Sequence, residues 1–298
     1  MKNSLLLPML LLIFLLILTS PGICDTTKPA GIVDTLHILH LGDTPVKLRQ
    51  ICHNPGPVVY FRPHGNEEIA RLALLSHLKN HKGTGFIIMN PERNLTFRYR
   101  ERHYRIDPNR IFTEKGIDNS LETLNSLSQS EKAELVPVVS DFSNKLIKLM
   151  TGQDLSGIKA FIAVHNNWDG YEGDGKDGKG NISGDLAGDK YRHMEPPIVH
   201  LGEGADPDDL FWVTRKSDFH YLRKSEPPWK GGHVVILDPY AATGDEKYND
   251  GSASVFFFTR NIPYFNVEVE HGPGIRSDSE RQKIQEAMLR AVDEILNP

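Results

Sequence analysis

Short apolar runs alternate with helix-patterned segments along most of this chain. The runs predicted to be strands span residues 58–61, 85–89, 160–164, 234–237, 255–258 and 267–270. The segments predicted to be helices span residues 67–80, 131–150 and 279–296, and the last of these is amphipathic. Strands that alternate with helices favour an α/β sandwich around a mixed, mainly parallel sheet.

The composition excludes several classes of protein. The chain has 298 residues, of which 39% are hydrophobic and 24% charged, a balance typical of globular proteins rather than disordered ones. Its net charge of −5 provides no excess of positive charge for phosphates, so we expect no nucleic-acid partner. Cys24 and Cys52 are the only two cysteines in the sequence, which excludes a disulfide scaffold.

Residues 1–24 have the pattern of a secretory signal peptide. Lys2 precedes an apolar run over residues 5–18, which is short for a membrane span and is followed by small and turn-forming residues. An uncleaved anchor is the alternative. We therefore predict a single domain over residues 25–298 that is secreted or periplasmic and keeps no stable membrane span after cleavage.

Residues 169–189 interrupt the alternation of strands and helices. This segment contains seven glycines, together with Asp174, Asp177 and Asp185. So much glycine disfavours regular structure, which predicts a long solvated loop. A calcium site is the alternative, although the alternating ligands and closing Glu of an EF-hand loop are missing.

The motif His64-Gly65-Asn66-Glu67 lies between a predicted strand and a predicted helix. A histidine and a glutamate three residues apart on such a turn can reach one metal ion, and zinc binds both imidazole and carboxylate groups. The alternative is a turn in which Asn66 or Glu67 only caps the helix.

His165 is the candidate for a third ligand, since it directly follows the predicted strand 160–164. In open α/β sheets, ligands gather at the carboxyl ends of strands, where both histidines are expected. Two histidines and one carboxylate leave a fourth zinc position open for water, which is the catalytic arrangement.

Asn109 and Arg110 offer an amide beside a planar guanidinium, a pair suited to holding a carboxylate. The alternative is a basic, solvated segment of the surface. His77 and His81 are four residues apart on a predicted helix and resemble a metal pair, but the segment between them lacks the glutamate of a zincin motif. We therefore predict that they lie on a solvated helix face.

The order of these motifs resembles the aspartoacylase and succinylglutamate desuccinylase family of the zinc carboxypeptidase superfamily. The resemblance rests on residues 64–67, 107–112, 165–166 and 270–273, and it spans roughly residues 58–296. It implies a three-layer, zinc carboxypeptidase-like fold. It also implies the following roles: zinc ligands His64, Glu67 and His165; general base Glu270; Arg102 as the group that polarises the scissile carbonyl; and Asn109, Arg110 and Arg260 as the groups that hold a substrate carboxylate.

The chain departs from the family pattern at several positions. Pro108 replaces the usual leucine, and Phe256 stands where the family's deacylases have a tyrosine that touches substrate, so Tyr248 and Tyr264 are the alternatives for that contact. Glu268 is the alternative base, because residues two apart on a strand share a face.

The reaction implied by the resemblance is hydrolysis of an amide or peptide bond. The expected substrate is a small peptide or an N-acyl amino acid with a free carboxylate, and the expected cofactor is zinc. A secreted carboxypeptidase and a deacylase are the two forms of this prediction. A non-catalytic module that binds peptide or metal and retains the fold is the alternative.

Overall fold

A computed structural model describes residues 33–168, 194, 198–202, 208–225, 233–271 and 276–297. The predicted signal peptide (residues 1–24) and the predicted glycine-rich loop (residues 169–189) lie outside these described residues. Among the helices within them, none combines the length and the apolar character that crossing a membrane requires.

The described strands and helices alternate along much of the chain. The strands are β1 (Val33–Leu41), β2 (Thr44–Cys52), β3 (Asn54–Arg62), β4 (Lys82–Ile88), β5 (Leu95–Tyr99), β6 (Arg102–Ile106), β7 (Ala160–Trp168), β8 (Val199–Leu201), β9 (Leu210–Val213), β10 (Val234–Leu237) and β11 (Tyr264–His271). The helices are α1 (Glu68–Leu78), α2 (Glu114–Leu124), α3 (Gln129–Thr151), α4 (Lys216–Leu222), α5 (Pro239–Thr243), α6 (Ala253–Phe258) and α7 (Asp278–Leu296), with a 3-10 turn at Glu246–Tyr248.

Nine of the described strands form one mixed sheet in the order β1-β2-β4-β3-β7-β11-β9-β10-β8. The pairings give β1, β3, β4, β7, β8 and β11 one direction and β2, β9 and β10 the other. The three central strands β3, β7 and β11 are adjacent and parallel. Their carboxyl ends therefore lie at one edge of the sheet. A separate antiparallel hairpin is formed by β5 and β6.

Two hydrophobic cores cover the two faces of the sheet. Strand β7 shows the division, since Phe161 and Ala163 belong to one core while Ile162 and Val164 belong to the other. The first core also takes in buried residues of α2, α3 and α6, and the second takes in buried residues of α1, α4 and α7. This arrangement confirms the predicted α/β sandwich with three layers.

Local signals explain where the longest helices begin. Ser128 and Glu131 form a reciprocal capping box at the start of α3, and Ser277 and Glu280 form another at the start of α7. Each box satisfies backbone N–H groups that a helix otherwise leaves unpaired in its first turn.

The prediction of a strand over residues 255–258 is wrong, because these residues belong to helix α6. A short run of Val and Phe does not distinguish a buried strand from a buried helix. Here the helix packs aromatic rings on several sides: Phe257 stacks on Phe161 with ring centroids 4.1 Å apart, and Phe256 contacts Phe112. The other predicted strands and helices are confirmed.

Candidate metal centre

The edge where β3, β7 and β11 end collects the polar residues of the candidate site. His64 follows the end of β3, and His165 lies within β7 opposite Glu268 of β11 in the strand register. Neighbouring strands lie about 4.8 Å apart, so the side chains of His165 and Glu268, on the same face, are close neighbours.

The turn that carries His64 and Glu67 is held by backbone contacts and one buried arginine. An added Cβ at Gly65 would lie 1.2 Å from the carbonyl oxygen of Asn90, so only glycine fits this close approach. Arg62 donates from Nε to the carbonyl oxygen of Glu67 at 2.9 Å and from Nη2 to that of Gly65 at 2.6 Å. Burial lowers the pKa of Arg62 to about 10, and the guanidinium stays cationic at neutral pH.

The two histidines and Glu67 form one compact, buried cluster. His64 Nδ1 lies 2.7 Å from Glu67 Oε1, His165 Nδ1 lies 3.2 Å from Glu67 Oε2, and the two Nδ1 atoms are 3.2 Å apart. The three residues are only 0%, 3% and 3% exposed. Two imidazoles and one carboxylate are a donor set that zinc accepts.

One atom of this cluster tests whether the residues fit a metal. Glu67 Oε2 is buried and accepts no hydrogen bond from the residues that the structure describes. A buried carboxylate oxygen without a hydrogen-bond donor is costly unless a cation satisfies it. Because both Nδ1 atoms also point towards this carboxylate, the arrangement fits a metal ion held by His64, Glu67 and His165.

Asp107 determines which nitrogen of His64 faces the cluster. Its Oδ1 lies 2.9 Å from His64 Nε2 and also accepts the backbone N–H of Asn109 at 2.8 Å. This places a proton on Nε2 and leaves Nδ1 available to a metal, as outer carboxylates do for metal-bound histidines. Asp107 belongs to the motif 107–112, but its contact with His64 was not predictable from sequence.

The charges of the cluster shift its ionisation equilibria. Burial alone would raise the pKa of Glu67, but the imidazoles of His64 and His165 hold it well below its usual range. Burial would likewise raise the pKa of Asp107, and its contact with His64 holds it well below its usual range. Burial would lower the pKa of His64, yet Glu67 and Asp107 raise it above 6.5.

A cavity of about 600 Å³ opens beside the cluster. The described residues that line it include, besides Glu67 and His165, the following: Arg93, Asn109, Arg110, Asn166, Trp212, Asp238, Pro239, Lys247, Tyr248, Asp250, Ser252, Ser254, Tyr264, Asn266 and Glu268. This volume lies within the range of small-molecule sites.

Asn109 and Arg110 both line this cavity. Arg110 Nη1 lies 3.0 Å from Asp250 Oδ2. Asn109 Oδ1 is buried and has no hydrogen-bond partner among the described residues. The pair therefore presents an amide and a guanidinium to the interior of the cavity.

The structure separates the two candidate bases. Glu268 lines the cavity, whereas Glu270 does not, although it belongs to the described residues. The carboxylate of Glu270 accepts from Arg281 Nε at 3.2 Å and lies 4.0 Å from Arg276 Nε. The carboxylate of Glu270 thus pairs with guanidinium groups, whereas that of Glu268 faces the cavity, which favours Glu268 over Glu270 as the candidate base.

Arg102 and Arg260 also lie outside the cavity. Arg102 is on β6 with its side chain 61% exposed, and it pairs with Glu131 of α3. Arg260 follows α6, where its guanidinium stacks on the ring of Phe256 at 3.6 Å. The substrate-contacting roles expected for Arg102 and Arg260 therefore do not fit their positions, since neither residue lines the cavity.

Other cavity residues had no assigned role in the sequence. Arg93 Nη1 lies 3.3 Å from Glu67 Oε1 and so contacts the cluster directly. Asp238 accepts from Trp212 Nε1 at 2.8 Å and from Ser254 Oγ at 2.7 Å. Strand β10 runs antiparallel to β3, β7 and β11, so its carboxyl end points to the opposite edge of the sheet, and the sequence position of Asp238 did not indicate a place in this cavity. Both candidate tyrosines, Tyr248 and Tyr264, line the cavity.

Comparison with known proteins gives only distant similarity. No protein-family model matches the sequence, and no curated protein matches it at a significant level. A "putative metallopeptidase" from Shewanella amazonensis SB2B is 10% identical, with a TM-score of 0.35 and coverage of 88% of this chain and 87% of that one. Product-bound cell shape determinant protein Csd4 from Helicobacter pylori is 12% identical, with a TM-score of 0.42 and coverage of 81% and 51%.

Bovine thrombin-activatable fibrinolysis inhibitor, solved in complex with tick carboxypeptidase inhibitor, is 14% identical to this chain. Its TM-score is 0.42, and the match covers 88% of this chain and 89% of that one. Because similarity at this level does not transfer function, the functional argument rests on the residues of the cavity.

Proposed function

We propose that this protein is a secreted zinc-dependent hydrolase that cleaves an amide or peptide bond in a small substrate with a free carboxylate. The observation that carries the proposal is the buried cluster of His64, Glu67 and His165 beside a cavity that also contains the carboxylate of Glu268. A metal site with a neighbouring base and nearby cations is the arrangement that metal-assisted hydrolysis requires.

When bound, a zinc ion supplies a Lewis acid that lowers the pKa of water towards about 7 and polarises a carbonyl. Glu268 is the base that takes a proton from the attacking water and returns it to the leaving amine. Its neighbour Asn266 donates from Nδ2 to Glu268 Oε1, at 2.5 Å, and so holds the carboxylate in position.

Other groups of the cavity stabilise developing charge and bind the substrate. Arg93 is the group beside the cluster that faces charge developing on a carbonyl oxygen, the role first assigned to Arg102. Arg110 and Asn109 bind the free carboxylate of the substrate and so position the scissile bond. Arg260 has no part in this step.

Two substrate types fit these groups. A cavity of about 600 Å³ accommodates the end of a peptide or an N-acyl amino acid. The predicted signal peptide favours peptides, because breakdown of small acylated amino acids is usually an intracellular task. The motif resemblance instead favours the deacylase type. Because these two arguments disagree, an experiment must distinguish peptides from N-acyl amino acids.

The test measures hydrolysis by the zinc-loaded protein on three sets of compounds. These are peptides with a free C-terminal carboxylate, the same peptides with an amidated C-terminus, and N-acetyl amino acids. We expect turnover of one of the carboxylate-bearing sets and loss of turnover on amidation. Zinc binding without turnover of any compound would contradict the proposal and favour a non-catalytic binding module.

The base is tested with a matched pair of substitutions. Glu268→Gln should lower kcat by about 10²–10⁴-fold, the usual contribution of a general base, while zinc content is unchanged. Glu270→Gln, on the same strand, should keep kcat within about tenfold of the parent, since this carboxylate pairs with Arg281 instead. The reverse pattern would return the role of base to Glu270.

A further inference from the structure

A second group of metal-binding side chains lies in the layer of helices α1 and α7. His77 is in the last turn of α1, His81 follows that helix, and Asp293 lies near the end of α7. Asp293 Oδ2 is 3.1 Å from His77 Nε2 and 2.5 Å from His81 Nδ1. The expectation that both histidines lie on a solvated helix face is wrong for His77, which is buried.

The three residues form a convergent set of ligand atoms. One ligand atom from each of the three residues lies within 4.8 Å of those of the other two. Both histidines place a nitrogen near Asp293 Oδ2. Their rings stack with centroids 4.0 Å apart and planes 7° apart, and because an imidazole binds a metal in its ring plane, sharing one ion requires one ring to turn out of this stack. Two imidazole nitrogens and one carboxylate oxygen are ligands that zinc prefers.

Tyr60 of β3 orients this carboxylate from the buried side. Its hydroxyl donates to Asp293 Oδ1 at 2.9 Å, which leaves Oδ2 facing the two histidines. An outer hydrogen bond of this kind fixes a metal-binding carboxylate. On the other side His81 is 29% exposed, so an ion and a water molecule have access from solvent.

We propose that His77, His81 and Asp293 form a second zinc-class metal site that fastens helix α7 to helix α1. An α-helix rises about 1.5 Å per residue, so the 11 residues of α1 place this site about 16 Å along the helix from the turn that carries Glu67. The site is therefore separate from the cavity, and its role is to stabilise the packing of two helices rather than to bind substrate.

Metal content provides the first test. The full-length protein, purified without a polyhistidine tag, is dialysed against zinc and then analysed for bound metal. We expect two zinc ions per chain in the parent, one in Glu67→Ala, one in His81→Ala and none in the double variant. His103→Ala, which removes an exposed histidine of β6, should retain two.

Thermal stability provides a test that does not depend on catalysis. In Glu67→Ala, zinc at 100 times its dissociation constant should raise Tm by roughly 5 °C. The shift should vanish in Glu67→Ala/His81→Ala and in Glu67→Ala/Asp293→Asn. Absence of both bound zinc and a Tm shift in Glu67→Ala would overturn the second site. Because these measurements are made without an intact catalytic cluster, they stand whether or not the protein is a hydrolase.

Discussion

Asp107 orients His64, a candidate metal ligand, without belonging to the cluster itself. It bonds to His64 Nε2 and is itself held by the backbone N–H of Asn109 and by Ser120 Oγ, which accepts its N–H. This contact keeps the imidazole of His64 in the orientation that turns Nδ1 towards Glu67. The quality of the metal site therefore depends on a residue that is not one of its ligands.

We predict that Asp107→Asn weakens zinc binding at the first cluster by about 10–100-fold, the usual effect of removing such an outer partner. Competition with a chromophoric chelator, carried out in the His81→Ala background, measures this affinity. The control is Asp118→Asn. Asp118 lies on α2 and pairs with Lys132 of α3, so its substitution should leave the zinc affinity unchanged. Equal affinities for the Asp107 variant and the parent would contradict the role given to Asp107.

The grouping of the candidate metal ligands was predictable from sequence, but not all of the groups around them were. His64, Glu67 and His165 were predictable because each follows or ends an apolar strand, and parallel strands bring their ends together. The choice between Glu268 and Glu270 was not, because the two share a strand face, and only the strand register and the positions of Arg276 and Arg281 in space separate them. Arg102 and Arg260 follow the right order along the chain but lie elsewhere in space.

Close contact between two glycines connects α2 to the segment that precedes α6. A Cβ on Gly251 would lie 2.0 Å from the Cα of Gly116, and a Cβ on Gly116 would lie 2.4 Å from the carbonyl oxygen of Arg110. Gly251 also has a φ of +77°, which favours glycine. These contacts bring Arg110 and Asp250 to the same wall of the cavity.

We predict that Gly116→Ala lowers the free energy of unfolding by ~1–3 kcal/mol, because the added methyl group forces two backbone segments apart. Urea denaturation measures the change. The substitution should also raise KM for a carboxylate-bearing substrate, since Arg110 moves with the segment. Asn119→Ala, at an exposed position of the same helix, is the control, and an equal effect of both substitutions would contradict the packing argument.

Elements with clear periodicity were predictable, whereas elements at the margins of the sheet were not. Helices α1, α3 and α7 each bury one face, and strands β3, β4, β7, β10 and β11 are apolar and buried. Strand β1 was missed because it is an edge strand whose Leu36 and Ile38 are both 55% exposed, so burial leaves no signal in its pattern. Helix α6 was predicted as a strand over residues 255–258 because it is buried on several sides, so its sequence lacks the spacing of apolar and polar residues that indicates a helix.

The stability of the whole molecule should depend jointly on pH and metal. In the metal-free protein the pKa of His64 is raised above 6.5 by Glu67 and Asp107 against the effect of burial. This ion-pairing contribution is therefore complete below about pH 6.5 and is lost as pH rises through the raised pKa. Metal binding at Nδ1 must displace the same proton, so zinc binds more tightly as pH rises.

We predict that the difference in Tm between zinc-saturated and metal-free protein widens from pH 5.5 to pH 8. Calorimetry in the Asp293→Asn background isolates the first cluster. The Glu67 carboxylate contributes no change over this range, because its pKa lies well below its usual range. The matched control is Glu67→Ala/Asp293→Asn, in which zinc should give no difference at any pH. A constant difference in the Asp293→Asn protein would contradict the assignment of His64.

The overall architecture was predictable because alternating strands and helices have few ways to pack, and a sheet with two apolar faces must be covered on both. The sequence did not reveal the antiparallel insertion of β9 between β11 and β10, since strand order depends on long-range pairing. Nor did it reveal that Asp293 of α7 lies against His77 and His81.

One consequence follows from how the wall of the cavity is built. Asp238, Pro239, Lys247, Tyr248, Asp250, Ser252 and Ser254 all come from one continuous stretch, residues 238–254, whereas the metal ligands come from β3–α1 and β7. This part of the cavity wall is therefore formed by one short stretch, whereas the candidate metal cluster and the proposed carboxylate-binding pair Asn109 and Arg110 come from other parts of the chain. Substitutions confined to residues 238–254 can therefore reshape the cavity without altering any residue of the candidate metal cluster.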